Sequence, residues 1–359
     1  MNDAAAATPH PEAPATRLVS VDVVRVVAIV FVIVIHAAPF THGTPPVRVG
    51  LAWSAATIVN QVARFAVPCF LVLSGYFWGR RADTPSRLVE TTRRMLPRLV
   101  VLFVGWSLVF VLPFESDRIF RDPPHGYLEV LARHLRWIRT HPGTVLLQGT
   151  QTHLWFLSSL IGCVAITVLW RRRWPLWSLL ALAVALFVAS LLAGPYSRSP
   201  LGLRVPFNPR NGPGFALLCF TVGVALARWT PRQVWAARGA ALLLAGALLS
   251  VLELSFLRTH YGRSLAQDFV AGTVLTGVGA AVLALSDHRW LHWPRLAALG
   301  PSVLGIYAVH PIFIDLIGPW IARRHAAWAD VAEVALVFVL SWLTVRALGR
   351  WRVTRPLVT

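Results

Sequence analysis

The stretch Val19-Ser-Val-Asp22-Val-Val-Arg25-Val-Val-Ala-Ile-Val-Phe-Val-Ile-Val-Ile-His36-Ala-Ala-Pro-Phe40 decides the fold class. A helix needs ~20 mostly apolar residues to cross the hydrocarbon core of a bilayer, and this run supplies them. It also carries Asp22, Arg25 and His36, which a mere anchor does not need. Eleven residues at 100° each leave Arg25 and His36 only ~20° apart in azimuth and ~16 Å apart along the axis. Asp22, three residues before Arg25, shares that face. Ionisable groups in a span usually face a bundle interior or a water-filled cavity. The plainer alternative is an interfacial Asp22–Arg25 pair with a snorkelling His36 at the other end, and spacing alone does not choose.

Nine more windows of this kind follow, at Ile58–Trp78, Leu96–Phe114, Leu154–Trp170, Leu176–Gly194, Gly214–Arg228, Gly239–Leu257, Phe269–Leu285, Leu296–Ile317 and Val331–Leu348. The sixth and ninth spans are interrupted by glycine and proline. Across 359 residues, 56% are hydrophobic, 14% are charged and the mean hydropathy is +0.61, too apolar for a soluble surface. The expected architecture is all-α, a polytopic transmembrane bundle of about ten spanning helices. Residues 18–350 form one membrane domain, preceded by a disordered tail at 1–17 and followed by a short tail at 351–359.

The net charge of +19 comes from arginine alone, for the chain has no lysine. With a cytoplasmic N-terminus, twenty of the thirty-four arginines fall in inside loops and tails, as the positive-inside rule requires. Both termini are therefore expected in the cytoplasm. Basic clusters at helix ends do not make a nucleic-acid module. Cys69, Cys163 and Cys219 lie in apolar runs without metal-ligand spacing, so packing is their expected role and no metal site is expected. In the longest outer connection, 115–152, Leu128, Leu131, Leu135 and Ile138 recur at helical spacing, so the segment reads either as an amphipathic surface helix or as a plain connector.

Polar residues recur elsewhere in the spans. Thr57, Asn60, Gln61 and Arg64 open the second, which continues through Val67-Pro68 to Ser74-Gly75-Tyr76. A buried Arg64 calls for a carboxylate, with Glu253, Asp268 and Asp315 all open as partners. Arg93, Arg94 and Arg98 form the densest basic patch; it is either a topology signal or a phosphate site, since guanidinium forks match phosphate oxygens. His153-Leu154-Trp155-Phe156 opens the fourth span, and the ninth contains Gly305-Ile-Tyr307-Ala-Val-His310-Pro311, with Tyr307 and His310 on one face.

In this order, Arg25 followed by ten residues and His36, Pro68 to Tyr76, the basic run before span three, Leu154-Trp-Phe-Leu157 and Tyr307 to His310-Pro311 resemble the acyltransferase-3 family of bacterial integral-membrane O-acyltransferases. The family often separates its two loop arginines by two residues, whereas three lie between Arg94 and Arg98 here. The resemblance implies an inner-membrane enzyme that moves an acyl group, acetyl above all, from acyl-CoA to a hydroxyl of an envelope sugar or polysaccharide, with no bound cofactor. It implies His36 as general base and Arg25 as its catalytic partner. Arg93, Arg94 and Arg98 would meet the CoA phosphates, and Asp22, Arg64, Trp155, Tyr307 and His310 would serve as substrate-binding residues. A secondary transporter or exporter of a lipid-linked sugar or small anionic solute would use similar buried groups at broken helices. No inverted repeat is visible to favour it.

Overall fold

The computed structural model describes residues 18–39, 54–120, 126–231, 233–321 and 327–358. The expected N-terminal tail, Phe40 at the end of the first window and Arg232 of an expected inside loop lie outside them. Among the described residues there is no strand. The longer helices in chain order are α1 (Val19–Ala37), α2 (Ala55–Ala63), α3 (Ala66–Arg81) and α4 (Pro85–Val109). Then come the short α5 (Ser116–Phe120), α6 (Gly126–Thr140) and α7 (Pro142–Gln148), followed by α8 (Trp155–Arg171) and α9 (Leu176–Ala193). The chain closes with α10 (Pro213–Leu226), α11 (Trp235–Tyr261), α12 (Ala271–Leu285), α13 (Pro294–Ala297), α14 (Val303–Ile321) and α15 (Ala327–Leu348).

Each apolar window of the sequence falls on helix. Among the described residues, seven helical stretches are long and apolar enough to cross a membrane: α1, α2 with α3, α8 with its leading turn, α9, α11, α13 with α14, and most of α15. The helices α10 and α12 are apolar but shorter, and α4 carries its arginines in its first half. Seven of the ten expected spans thus meet the requirement by length and composition alone.

The first span sits in the middle of the bundle, packed against α3, α12, α13, α14 and α15. Its start is anchored by Ser20 Oγ, which donates to the Ala284 carbonyl at 2.6 Å and to Asp287 at 3.0 Å. Asp22 fits because residue 300 is glycine: a Cβ there would lie 2.5 Å from its carboxylate oxygen. Where lipid tails are as apolar as the helices, close packing of small residues drives association. Gly239 and Gly246 of α11 face Gly272 and Gly279 of α12, each pair seven residues apart and so on one face. A Cβ on Gly239 or Gly246 would come within 2.5 Å of the α12 backbone. The same device joins α3 to α10 through Gly75 and Gly223.

Two peripheral segments follow the same physics. The amphipathic pattern does form α6, with Leu128 78% exposed. Residues 351–358, expected as part of a tail, turn back onto the bundle: Trp106 Nε1 donates to the Leu357 carbonyl at 2.8 Å and Val358 is fully buried.

Candidate active site

The helix α1 ends just after His36, where Ala38 takes a left-handed conformation (φ 48°) and its N–H closes on Val34. That termination leaves the His36 side chain exposed. Two other imidazoles stand beside it. The ring centroids of His36 and His310 are 5.2 Å apart, those of His153 and His310 5.5 Å, and those of His36 and His153 6.4 Å. His153 sits on the single 3₁₀ turn Thr152–Leu154 that leads into α8, and His310 lies in α14. Both are buried, with His310 at 0% exposure.

Pro311 explains the setting of His310. A residue at position 311 would normally donate its N–H to the Tyr307 carbonyl, four residues back, but proline has none. His310 Nδ1 occupies that acceptor instead, at 2.8 Å, with a longer approach to the Ile306 carbonyl at 3.3 Å. A carbonyl only accepts, so Nδ1 carries the proton and Nε2 keeps its lone pair. That Nε2 is buried and has no hydrogen-bond partner among the described residues. Tyr307 is also tied down, its hydroxyl donating to the His153 carbonyl, so α14 holds the third imidazole in place.

A second cluster adjoins the histidines. Helix α2 breaks at Arg64, whose carbonyl would be the helical acceptor for the N–H that Pro68 lacks. The break directs Arg64 to the loop before α12. Its Nη1 donates to the Asp268 carboxylate at 3.1 Å and to the Asp268 carbonyl at 3.0 Å, while Nε donates to Asn60 at 3.0 Å. Arg210 reaches the same carboxylate at 3.2 Å and lies over the Trp155 ring, 5.0 Å from its centroid. Asn208 completes the arrangement by donating to Asp268 Oδ2 at 3.0 Å. Burial by itself raises the Asp268 carboxyl, but the two guanidiniums and the Asn208 amide outweigh it and hold it below the usual carboxylate range. Two fixed cations on one carboxylate leave an excess positive field, suited to a developing oxyanion.

Over residues 18–346 the chain matches the model of the acyltransferase-3 family, described as an acyltransferase domain. It belongs to that family. No curated protein and no solved structure matches it. The match together with the apolar helices makes the chain a multi-pass membrane acyltransferase.

In this acyltransferase the fold gathers His36, His310, Tyr307, Trp155 and Arg64 at one end of α1. The remaining sequence candidates lie elsewhere. Arg25 pairs with Asp22 at 3.7 Å toward the other end of the helix. Arg93, Arg94 and Arg98 are exposed on α4, where Arg94 pairs with Glu90. Of the three carboxylates open to Arg64, the structure selects Asp268. Glu253 instead accepts the Gly272 N–H at 3.2 Å, and Asp315 accepts from Gln151 at 3.2 Å.

Sequence reasoning left three residues out of the site. His153 had been noticed only as part of a motif, and Arg210 and Asn208 were not singled out. The signal for the last two was the polar run Asn208-Pro-Arg210-Asn-Gly between apolar windows. Among the described residues no three His, Cys, Asp or Glu side chains are arranged to hold a metal ion.

Proposed function

We propose that this acyltransferase moves an acyl group, acetyl above all, from acyl-CoA to a hydroxyl of an envelope sugar or polysaccharide in the bacterial inner membrane. The observation that carries the reading is the histidine cluster: an exposed His36 beside a buried His310 whose Nε2 has no partner among the described residues. A sugar hydroxyl is a weak nucleophile at neutral pH, and a histidine base contributes ~10²–10⁴-fold. His36 takes the hydroxyl proton as the oxygen attacks the thioester carbonyl carbon. The carbon–sulfur bond then breaks, and the proton passes to the departing CoA thiolate. Arg64 and Arg210 stabilise the negative charge on the carbonyl oxygen between those events.

His310 acts on His36 rather than on substrate. With its proton fixed on Nδ1, its Nε2 offers an acceptor to the His36 ring 5.2 Å away, and a His36 N–H turned toward it during catalysis leaves the other His36 nitrogen as the base. Arg93, Arg94 and Arg98 are well suited to the CoA phosphates because they are exposed together on a basic helix. Their cytoplasmic placement, and that of both termini, rests on the arginine distribution of the short loops. Asp22 and Arg25 order the donor on that side.

The test is transfer of radiolabelled acetyl from acetyl-CoA to envelope sugars by protein purified in lipid nanodiscs. His36→Ala should abolish it while leaving the melting temperature unchanged, since the side chain is exposed. Full activity in that variant would sink the mechanism. Sugar uptake into liposomes without CoA release would replace the enzyme by a transporter.

A further inference from the structure

A cavity of about 320 Å³ lies between α7 and the loop 205–211, at the edge of the Arg210–Asp268 cluster. That volume is at the small end of ligand pockets, ~300–1,000 Å³. Its lining is uncharged. Thr144, Gln148, Asn208 and Asn211 supply amide and hydroxyl groups, and Pro206 and Phe207 supply an apolar wall. Phe207 is 48% exposed, so its ring is open to a partner in the cavity.

Asn211 gives the second sign of a ligand. It is only 6% exposed, and its Nδ2 is satisfied by Gln148 Oε1 at 2.9 Å. Its Oδ1 is buried and has no partner among the described residues. A buried acceptor left empty costs about 1–3 kcal/mol, so a turn of the amide that opens Oδ1 to the cavity lets an incoming donor recover that cost. The backbone beside it is fixed, because the next residue, Gly212, donates its N–H to Ser159 Oγ at 3.0 Å. Asn208 links cavity and catalytic cluster: its side chain accepts from the Arg210 N–H at 3.0 Å and donates to Asp268.

We infer that this cavity is the acceptor subsite and takes an uncharged glycosyl unit, with a sugar hydroxyl donating to Asn211 Oδ1 and the sugar's C–H face on Phe207. The inference rests on the acyl-transfer reading for what happens next, but the binding itself does not. An uncharged lining with alternating amide and apolar groups matches a sugar's own alternation of hydroxyls and C–H faces. No charged side chain stands among its described lining residues to pair with a carboxylate or phosphate.

Saturation-transfer NMR on the full chain in nanodiscs, with methyl glucoside, galactoside, mannoside and glucuronide as probes, tests the site without requiring turnover. At least one neutral glycoside should receive saturation on its ring protons and the glucuronide none. Asn211→Ala and Phe207→Ala should each weaken binding roughly tenfold. Phe207 is an exposed side chain, so its variant retains the fold even where Asn211→Ala does not. In turnover, both variants should raise the acceptor KM and leave the acetyl-CoA KM unchanged. Glycoside binding that depends on both residues, with no CoA release by any form of the protein, upholds the subsite and removes acyl transfer. Transfer to a sugar with an acceptor KM indifferent to both substitutions overturns the subsite and leaves acyl transfer standing.

Discussion

Replacing Gly75 by alanine should damage both stability and turnover, and the structure gives the scale. A Cβ at position 75 would overlap the Phe220 carbonyl oxygen and lie 2.9 Å from the carbonyl carbon of α10. Ordinary van der Waals contact begins near 3.4 Å, so α10 has to retreat by at least about 0.5 Å, and the oxygen by more. A backbone carbonyl in a helix cannot swing aside. One turn along, Gly223 holds the same helices together against Val72, so the pair cannot pivot about a neighbouring gap. Overpacking of this kind costs about 1–3 kcal/mol. The displacement then reaches the site, because α3 continues from Arg64 and α10 follows Arg210, and both guanidiniums rest on Asp268 at 3.1 and 3.2 Å. A misplacement near 1 Å costs on the order of 10²-fold in rate. Gly162→Ala is the control: its Cβ would meet only Pro213 at 3.7 Å, ordinary contact, so loss of a helical glycine should stabilise by about 0.5–1 kcal/mol. Thermal unfolding followed by fluorescence-detected size exclusion, together with CoA release, measures both. Equal melting temperatures and rates for Gly75→Ala and the parent would refute the packing argument.

Three further outcomes are expected. Asp268 is held below its ordinary value in the folded protein, so its stabilisation is present above the unfolded carboxylate pKa of about 3.9 and lost as pH falls through the lowered folded value. Asp268→Asn should therefore melt earlier at pH 7, by about 1–2 kcal/mol for a partly exposed pair, with the gap to the parent closing in melts at pH 3. Replacing Arg93, Arg94 and Arg98 together by alanine should raise the acetyl-CoA KM roughly tenfold or more and leave the acceptor KM alone; initial-rate kinetics with each substrate varied decide it. Pro311→Ala supplies the N–H that Tyr307 lacks and so competes with His310 Nδ1. With two tautomers and two ring orientations then available, kcat should fall about fourfold without a lower melting temperature, and an unchanged kcat would detach the proline from the chemistry.

Helix positions were legible in the sequence because hydropathy is a local property, and every apolar window became helix. Membrane crossing was less so: α10 and α12 are apolar yet short, and nothing local fixes how such helices sit. The amphipathic α6 could be read from Leu128 and its helical neighbours. His36 and His310 could be noticed singly as histidines near the ends of apolar spans, but not as neighbours 5.2 Å apart. That proximity depends on the crossing of α1 and α14. Arg64 announced its need for a carboxylate without naming it, since Glu253, Asp268 and Asp315 are equally acidic on paper. The choice of Asp268 depends on the break in α2, whose sequence mark is Pro68. Arg210 was hidden because a loop arginine has no periodicity to betray its burial against Trp155. The Nδ1 proton of His310 could have been found from sequence, for any His-Pro pair in a helix leaves a carbonyl open three residues before the histidine.

The structure also alters the meaning of the polar stripe on α1. Helical spacing places Arg25, Ile29, Val32 and His36 on one face. Ile29 is 0% and Val32 3% exposed, so the face between the two ionisable ends is packed core. The less buried side of the helix, around Val27 and Val34, points the opposite way. A donor arm that follows the Arg25–His36 face must therefore part Ile29 and Val32 from helices whose interiors are close-packed. Without that parting, Arg25 and Asp22 act at one end of α1 and His36 at the other, joined by a rigid helix and not by a channel. If the donor arm takes that face, substitutions that enlarge Val32 should slow donor delivery before they touch acceptor binding.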